Sequence, residues 1–338
     1  MDSHVAPAAA RVPGAAPPRQ SDAAPELVLV GNLLVDDIVL RDGQTLLGEP
    51  GGAVLHAALA ASLWGVRIGV SAIAGNDYPA AALEALDARG VDLQGVQRLT
   101  RPGGRAWLLY EPRARRVVHH LDSPAHEALS PQFHELPAPY RQARAFHLAP
   151  MPIARQCALA RGLAERSSSP PFVSLDPYEA VHDANLDQWR TLLRHVDAFF
   201  PSEDEIRLAA DPVDVLRPAG DERLQFVFLK RGAQGGMLMD CRRGLPATEA
   251  AGLPAPWTPR AAGVVDATGA GDAFVGGFLA GWLAHGDPWR GIEQGVVSAS
   301  FALQDWGARG LLAASPTAAR QRHAEWFAPE AASEATSR

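Results

Sequence analysis

Short apolar runs alternate with helix-like segments along most of this chain, and that alternation constrains the fold more than any other feature. The runs have the composition of buried strands, and several segments between them carry apolar residues at helical spacing. Strands are predicted at residues 27–30, 66–75, 145–149, 172–176, 198–200 and 226–229, and helices at 53–64, 153–166, 186–194, 203–210 and 292–303, with a further helix opening at Asn76 and Asp77. This order predicts an α/β fold, a parallel sheet with helices on both faces.

The segment from Gly90 to Leu121 departs from this alternation. Two apolar stretches, residues 105–110 and 117–121, flank a polar hexapeptide at 111–116. That pattern is typical of a β-hairpin with a solvated tip. We therefore expect a small second sheet in addition to the parallel one.

Composition argues against several classes of protein. The chain has 338 residues, of which 47% are hydrophobic, enough to bury a large core. Its net charge of −7 and its lack of Lys/Arg clusters argue against nucleic acid or an anionic membrane surface as a partner. Two cysteines, Cys157 and Cys241, give no disulfide framework or metal-binding spacing, so we predict a cytoplasmic location.

Both ends of the sequence differ from its middle. Residues 1–24 are dominated by Ala and Pro and are predicted to be a disordered leader. Residues 330–338 are predicted to be a loose tail. No apolar run reaches the 18 residues that a membrane span needs, and no secretory signal precedes the first strand.

One stretch carries the chemistry, the turn Gly269-Ala270-Gly271 followed by Asp272 and an apolar helix. Such a turn lets the backbone approach a ligand closely, and the first N–H groups of the helix have no intrahelical partner. These donors favour an anion such as a transferring phosphoryl group. Asp272 would then take the proton of an attacking hydroxyl. The alternative is a helix-capping acid after a tight connection.

The pattern Asp-x-Thr-Gly-Ala-Gly-Asp-x-Phe-x-Gly-Gly at residues 266–277 closely resembles the C-terminal signature of the ribokinase-like, or PfkB, carbohydrate kinases. The resemblance implies a ribokinase-like three-layer α/β/α domain over residues 25–329, with a mostly parallel sheet and a small β-sheet lid from about 36–50 and 100–121. It implies ATP and Mg²⁺ as cofactors, with Asp272 as the base and N–H groups of Gly269, Ala270 and Gly271 as the anion hole.

The resemblance also implies which residues bind the acceptor, the hydroxylated substrate that receives the phosphoryl group. Asp36 lies five residues after Gly31, as in the family's hydroxyl-binding acid, although Asp37 beside it leaves the choice open. The other expected acceptor-binding residues are Gly51, Gly52, His56 in place of the family's Asn, Arg105 at the lid and Asp176 at a strand end. For Arg105 the alternative is a solvated charge.

Further positions are implied for the nucleotide and for metals. The expected nucleotide-binding residues are Lys230, Gly232, Gly235, Thr268, Gly269 and Gly271. Glu205 would hold Mg²⁺ through water, although an acid opening a helix is also ordinary capping chemistry. Asp266 would border a monovalent cation such as K⁺, and both this cation and a homodimer through the lid stay open.

The sequence thus predicts an ATP-dependent kinase that phosphorylates a hydroxyl of a sugar or sugar-like small molecule. Nucleosides and cyclitols such as inositol are the second choice of acceptor. A non-catalytic nucleotide-binding regulator is the alternative of another class. An oxidoreductase is disfavoured because the dinucleotide-binding fingerprint is missing.

Overall fold

A ten-stranded sheet forms the middle of the molecule. The computed structural model describes residues 24–111, 115–165, 170–209, 223–241 and 263–327, with the backbone of two short strands at 11–13 and 248–249. The strand order is β1-β6-β5-β2-β9-β10-β12-β14-β15-β16. These strands are β1 Arg11–Pro13, β2 Leu27–Asn32, β5 Ile68–Ala74, β6 Asp92–Leu99, β9 Ala145–Leu148, β10 Phe172–Leu175, β12 Ala198–Phe199, β14 Phe226–Lys230, β15 Gly236–Asp240 and β16 Thr248–Glu249.

The middle of this sheet is parallel, as predicted. Neighbouring strands from β6 to β14 run in the same direction, whereas β1, β15 and β16 pair antiparallel at the two edges. Parallel strands that are covered on both faces are apolar throughout. This is why the run Leu27 to Val30 is fully buried.

Helices cover both faces of the sheet and give three layers. Leu27 and Leu29 belong to a core built with the helix Ala53–Ser62 and the C-terminal helices, while Val28 and Val30 belong to a core built with the helices Ile153–Ala164 and Leu186–Leu193. The helices are α1 Ala53–Ser62, α2 Ala80–Ala88, α3 His126–Leu129, α4 Ile153–Ala164, α5 Leu186–Leu193, α6 Ala270–His285, α7 Pro288–Ala302, α8 Arg309–Ala313 and α9 Pro316–Phe327.

A second, four-stranded sheet is built from the two segments that were expected to form the lid. Its order is β4-β3-β7-β8, with β3 Leu34–Val39, β4 Thr45–Gly51, β7 Gly104–Tyr110 and β8 Arg115–His119. Strands β7 and β8 form the predicted hairpin. Only Leu33 separates the end of β2 from the start of β3. The small sheet therefore begins at the carboxyl end of a parallel strand, the edge of the main sheet where polar residues follow the strands.

One predicted helix starts later than expected, and another does not form. The helix expected from Asn76 begins at Ala80, and Asp77 accepts a hydrogen bond from the Gly103 N–H at 2.8 Å instead of capping a helix. The helix expected at 203–210 is one 3₁₀ turn, Glu203–Glu205, which the strand Ile206–Arg207 (β13) follows. That strand pairs with Val181–His182 (β11), and the distant pairing overrides the local capping signal.

The ends of the domain are described only in part. Residues 11–13 of the predicted leader pair with β6, and the rest of residues 1–23 lies outside the described residues, as does the predicted tail at 330–338. No helix in the described ranges is both long enough and apolar enough to cross a bilayer. The domain boundaries remain a prediction.

Candidate active site

The turn before α6 has the predicted geometry. Gly269 adopts a left-handed conformation with φ of 71°, and α6 begins at Ala270. The Ala270 N–H, one of the three predicted anion-hole donors, is already engaged, because it donates to the Ala267 carbonyl at 3.3 Å. The N–H groups of Gly271 and Asp272 make no hydrogen bond to the residues that the structure describes, so they remain available to an anion.

Asp272 lies in the first turn of α6 and is only partly buried. Its charge acts on both Lys230 and Asp176. Within the described part of the chain its carboxylate accepts no hydrogen bond. A carboxylate with free lone pairs beside unpaired N–H donors suits a base that works next to a phosphoryl group.

Lys230 ends β14 and points at this turn. Its Nζ atom lies 2.7 Å from Asp176 Oδ1 at the end of β10, and a Cβ added to Gly271 would lie 3.4 Å from the same Nζ. The Lys230 side chain is 17% exposed and that of Asp176 is 3% exposed. The pair therefore holds a positive charge beside the donors of α6.

Three carboxylates surround this ammonium group. Burial opposes the charge of Lys230, but Asp176, Glu205 and Asp272 outweigh it and raise the pKa of the lysine. Burial also raises the pKa of Asp176 to about 7, against the opposing effect of Lys230. The cluster has more negative than positive charge, which favours a cation.

Glu205 caps its own 3₁₀ turn. Its Oε2 accepts the Ser202 N–H at 2.7 Å, and Ser202 bridges to Lys230 across the sheet. Among the described residues no group of three or more His, Cys, Asp or Glu side chains is arranged to hold a metal directly. The excess of negative charge around Lys230 fits Mg²⁺ held through water and phosphate oxygens, the usual mode of this ion, and Glu205 and Asp272 are the carboxylates that would hold its water shell.

His56 lies against Gly269. Helices α1 and α6 approach so closely that a Cβ on Gly276 would lie 2.2 Å from the Ala57 carbonyl oxygen, and a Cβ on Gly269 would lie 2.0 Å from His56 Cδ2. The imidazole Nδ1 lies 3.1 Å from the Gly52 carbonyl oxygen, which fixes Nδ1 as the donor in the neutral ring. Nε2 is buried without a partner in the described residues. It can accept a hydrogen bond from an acceptor hydroxyl.

Asp36 and the Gly51-Gly52 turn lie together, as the prediction requires. A Cβ on Gly51 would lie 1.9 Å from Asp36 Oδ2, and one on Gly52 would lie 2.4 Å from the Asn32 carbonyl oxygen. Only glycine allows this approach. Asp36 is 6% exposed and lies on β3 of the small sheet.

Asp37 and Arg105 pair with each other. Arg105 Nε lies 2.6 Å from Asp37 Oδ2 and Nη2 lies 2.7 Å from Oδ1, while the Gly48 N–H donates to Oδ1. Although burial opposes it, these bonds lower the pKa of Asp37. The pair joins β3 to β7 within the small sheet. The role of Arg105 in acceptor binding therefore stays a prediction, with its guanidinium already engaged.

Asp266 joins three segments. Its Oδ1 accepts hydrogen bonds from the Thr268 N–H and hydroxyl and from the Tyr110 hydroxyl, at 2.9, 2.8 and 2.5 Å. Its Oδ2 accepts the Gly307 N–H at 2.7 Å. Thr268, predicted to contact the nucleotide, is 4% exposed. Its hydrogen bonds to Asp266 hold the turn that follows it.

Gly232 and Gly235 lie in the hairpin turn between β14 and β15. Both have positive φ, 54° and 85°, and the Arg231 N–H donates to the Gly235 carbonyl. These glycines are explained by the turn alone, so their predicted contact with nucleotide stays untested.

Sequence reasoning missed an aromatic cluster at the mouth of the site. The Asn32 amide lies 3.1 Å from His126 Nδ1, and the His126 ring lies 4.5 Å from that of Tyr178, centroid to centroid. His119 stacks edge-on against His126. Burial lowers the pKa of His126 to about 4, so its ring is neutral near pH 7. Asn32 is 94 positions from His126, and Tyr178 lies in a third segment of the chain, so no local pattern marks the cluster.

Charged and donor groups thus converge beyond the ends of the parallel strands, where ligands bind in open α/β sheets. The arrangement is that of a phosphotransferase. The PfkB family carbohydrate kinase profile matches residues 26–314, and this chain belongs to that family.

Individual proteins agree with this assignment. A cytidine kinase from Thermococcus kodakarensis is 30% identical over 294 residues, which cover 83% of this chain and 97% of the relative. An E. coli protein described as a ribokinase II, in complex with ATP and Mg²⁺, has a TM-score of 0.66 at 20% identity and covers 88% of this chain and 98% of its own. A Burkholderia thailandensis nucleoside kinase in complex with inosine has a TM-score of 0.67 at 19% identity, and the match covers 89% of this chain and 98% of the nucleoside kinase. The ribokinase-like fold prediction is confirmed.

Proposed function

We propose that this protein transfers the γ-phosphoryl group of ATP to a hydroxyl of a sugar moiety, with Asp272 as the base. The observation that carries the proposal is the position of Asp272. Its carboxylate lies in the first turn of α6, beside the free N–H groups of that turn and the Lys230 ammonium. A base, an anion hole and a cation are then in reach of one reacting centre.

Each group has one task in this proposal. Asp272 takes the proton of the acceptor hydroxyl, and that oxygen attacks the γ-phosphorus of ATP while the bond to the bridging oxygen breaks and ADP leaves. The N–H groups of Gly271 and Asp272 and the Lys230 ammonium stabilise the phosphoryl oxygens as negative charge builds up. Mg²⁺, when bound, neutralises phosphate charge, and Glu205 is the residue that would hold its water shell.

A nucleoside is the acceptor that one observation favours over a free sugar. Tyr178 is 40% exposed and continues the aromatic surface of His126 at the mouth of the site, a surface on which a base can stack. The 30% identity to a cytidine kinase supports the same choice. Sugars, sugar acids and cyclitols remain candidate acceptors, because Asp36 and the Gly51-Gly52 turn suit any hydroxylated ring.

The test is ATP consumption on a panel of cytidine, uridine, inosine, ribose, fructose, gluconate and myo-inositol. Asp272→Asn removes the base and should lower kcat about 10³-fold, within the range for general bases, while ATP binding by calorimetry is kept. Asp187→Asn is the matched control, since Asp187 is a first-turn acid of α5 that is fully exposed. Wild-type kcat in Asp272→Asn would refute the assignment of the base.

The acceptor is tested separately. Tyr178→Ala should raise KM for cytidine about tenfold, because base stacking on an aromatic ring is worth ~1–3 kcal/mol, and leave KM for ribose unchanged. Equal effects on both acceptors would contradict a base-binding role. ATP binding without turnover of any panel member would favour the regulatory alternative.

Two broader parts of the prediction stay proposals. Val117 and Val118 on β8 are 48% and 44% exposed, and this apolar surface supports a homodimer through the small sheet, which light scattering of wild type and Val118→Glu would test. A cytoplasmic location is proposed from the cysteine content alone, and fractionation of the source cells would check it.

A further inference from the structure

The described surroundings of Asp266 do not fit a monovalent cation. A hard cation is held by oxygen atoms that present lone pairs, whereas the groups around Asp266 present hydrogens. Four donors from three residues, Tyr110, Thr268 and Gly307, point at its two carboxylate oxygens. Asp266 is 2% exposed, so a cation would have to displace a protein donor to reach Oδ1.

The Tyr110 hydroxyl comes from the small sheet and not from the segments next to Asp266 in the chain. It lies at the end of β7, 156 positions before Asp266, and its oxygen is 2.5 Å from Asp266 Oδ1 and 2.9 Å from Thr268 Oγ1. Thr268 directly precedes Gly269, which begins the turn that feeds α6. One hydroxyl thus contacts both residues that hold this turn in place.

We propose that Tyr110 completes the Asp266 site in place of a monovalent cation, and that through Asp266 and Thr268 it positions the Gly269–Gly271 turn. The inference rests on the proposed function, because it gives the turn its role in phosphoryl transfer. Tyr110 is a positioning residue in this proposal, since it reaches the turn only through two other side chains. The enzyme should then work without added K⁺.

The first readout is phosphorylation of the best acceptor at constant ionic strength in choline, sodium and potassium chloride. Wild type should show rates within about twofold of each other in the three salts. Tyr110→Phe removes only the hydroxyl and Tyr110→Ala also opens space. Each should lose about tenfold in kcat without K⁺, a barrier change of ~1.4 kcal/mol, and K⁺ should restore at least one of them. Leu47→Ala is the control, an exposed side chain on strand β4 of the same small sheet, and should behave as wild type.

The second readout needs no turnover. The melting temperature of the ligand-free protein is measured in potassium and in choline chloride. Wild type should show no K⁺-specific rise, and a Tyr110 variant should gain one because the cation then binds the exposed carboxylate. If this pattern holds while no acceptor is phosphorylated, the proposed function fails and the assignment of Tyr110 to the Asp266 site stands.

Two results overturn the inference. A K⁺-specific rise in the melting temperature of wild type, or a wild-type rate that depends on K⁺, would show that a cation binds despite Tyr110. The second result is that neither wild type nor either Tyr110 variant responds to K⁺, in the phosphorylation rate or in the melting temperature. The Tyr110 hydroxyl would then not occupy the place of a cation.

Discussion

Lys230 and Asp176 form an ion pair at 2.7 Å between the ends of two parallel strands, with the lysine ammonium against the turn that begins α6. Asp272 and Glu205 add two negative charges near the same ammonium. Asp176, expected to bind the acceptor, therefore has Oδ1 engaged by Lys230. The pair has both a structural and a catalytic consequence, and the two can be measured separately.

Lys230→Met should destabilise the fold and slow the reaction. At pH 8, above the pKa of about 7 that Asp176 has in the folded protein, it leaves a buried carboxylate without its cation, and the free energy of unfolding should fall by up to ~3–5 kcal/mol. The double variant Lys230→Met/Asp176→Asn removes both charges and should recover most of that loss. In both variants kcat should stay about 10²-fold or more below wild type, as on removal of an oxyanion donor.

Urea unfolding and steady-state kinetics on the same preparations give both numbers. Recovery of stability without recovery of kcat would assign the lysine to the reaction. If kcat recovered along with stability, the charge of Lys230 would have only a structural effect.

The raised pKa of Asp176 predicts a pH dependence of stability. Burial raises this pKa from 3.8 to about 7 in the folded protein, so between these values the folded state keeps a proton that the unfolded chain has lost. The contribution of the carboxyl group is fully present below about pH 4 and is lost as pH rises through 7.

The free energy of unfolding of wild type minus that of Asp176→Asn isolates this contribution. The difference should be smaller at pH 8 than at pH 5, by urea unfolding at both. A difference that stayed constant, or grew with pH, would mean that Lys230 holds the pKa of Asp176 near its ordinary value.

Local sequence was sufficient for the parts of the fold that depend on local chemistry. Strands β2, β5, β9, β10, β12 and β14 were predicted because each is covered on both faces and must be apolar. The turn at Gly269 was predicted because few residues besides glycine accept its φ of 71°. The strand Asp92–Leu99 was missed because its polar residues, Gln94 and Gln97 among them, break the apolar run.

Distant pairing explains most of the other errors and omissions. Ser202 and Glu205 form a capping box that is typical of a helix start, yet Ile206 pairs with Val181 and the helix does not continue. Asp77 is a residue type that often caps a helix, but its carboxylate accepts a hydrogen bond from the N–H of Gly103, 26 residues further along the chain. The hydroxyl of Tyr110 reaches Asp266 across 156 positions, and a single sequence has no signal for such a contact.

Arg89 should stabilise the C-terminal helices. Its Nη2 donates to the carbonyls of Leu311, Leu312 and Ala314 at 2.9, 2.7 and 3.0 Å, which satisfies acceptors that the end of α8 leaves open. Arg89→Met keeps the aliphatic stem and should lower the free energy of unfolding by ~2 kcal/mol, the range for hydrogen bonds to charged groups.

Arg67→Met is the matched control for Arg89. Arg67 pairs with Glu26 at the surface, with its side chain 53% exposed, and such pairs contribute ~0–1 kcal/mol. Urea unfolding of both variants tests the comparison. Equal losses would show that the three carbonyls are satisfied by water as readily as by Arg89.

Gly269→Ala should abolish most of the activity through a contact with His56. The added Cβ would lie 2.0 Å from His56 Cδ2, in addition to the strain of a φ of 71°. Either the imidazole or the turn must move, and a displacement of about 1 Å at the reacting groups costs ~10²-fold in rate. The expected result is a fall in kcat of about that size, measured with saturating ATP and acceptor.

Gly286→Ala is a control on the same helix. Gly286 ends α6 with a φ of 66°, and a Cβ there would meet no atom within 4 Å, so the variant shares the backbone strain and lacks the contact. It should lose a similar ~1–2 kcal/mol of stability from the left-handed conformation and keep wild-type kcat. The effect of Gly269→Ala is also measured in a His56→Ala background, where the ring is absent. A much smaller loss of kcat there, relative to His56→Ala alone, would assign the effect to the contact with the imidazole, and an equal loss in both backgrounds would assign it to the strained backbone of the turn.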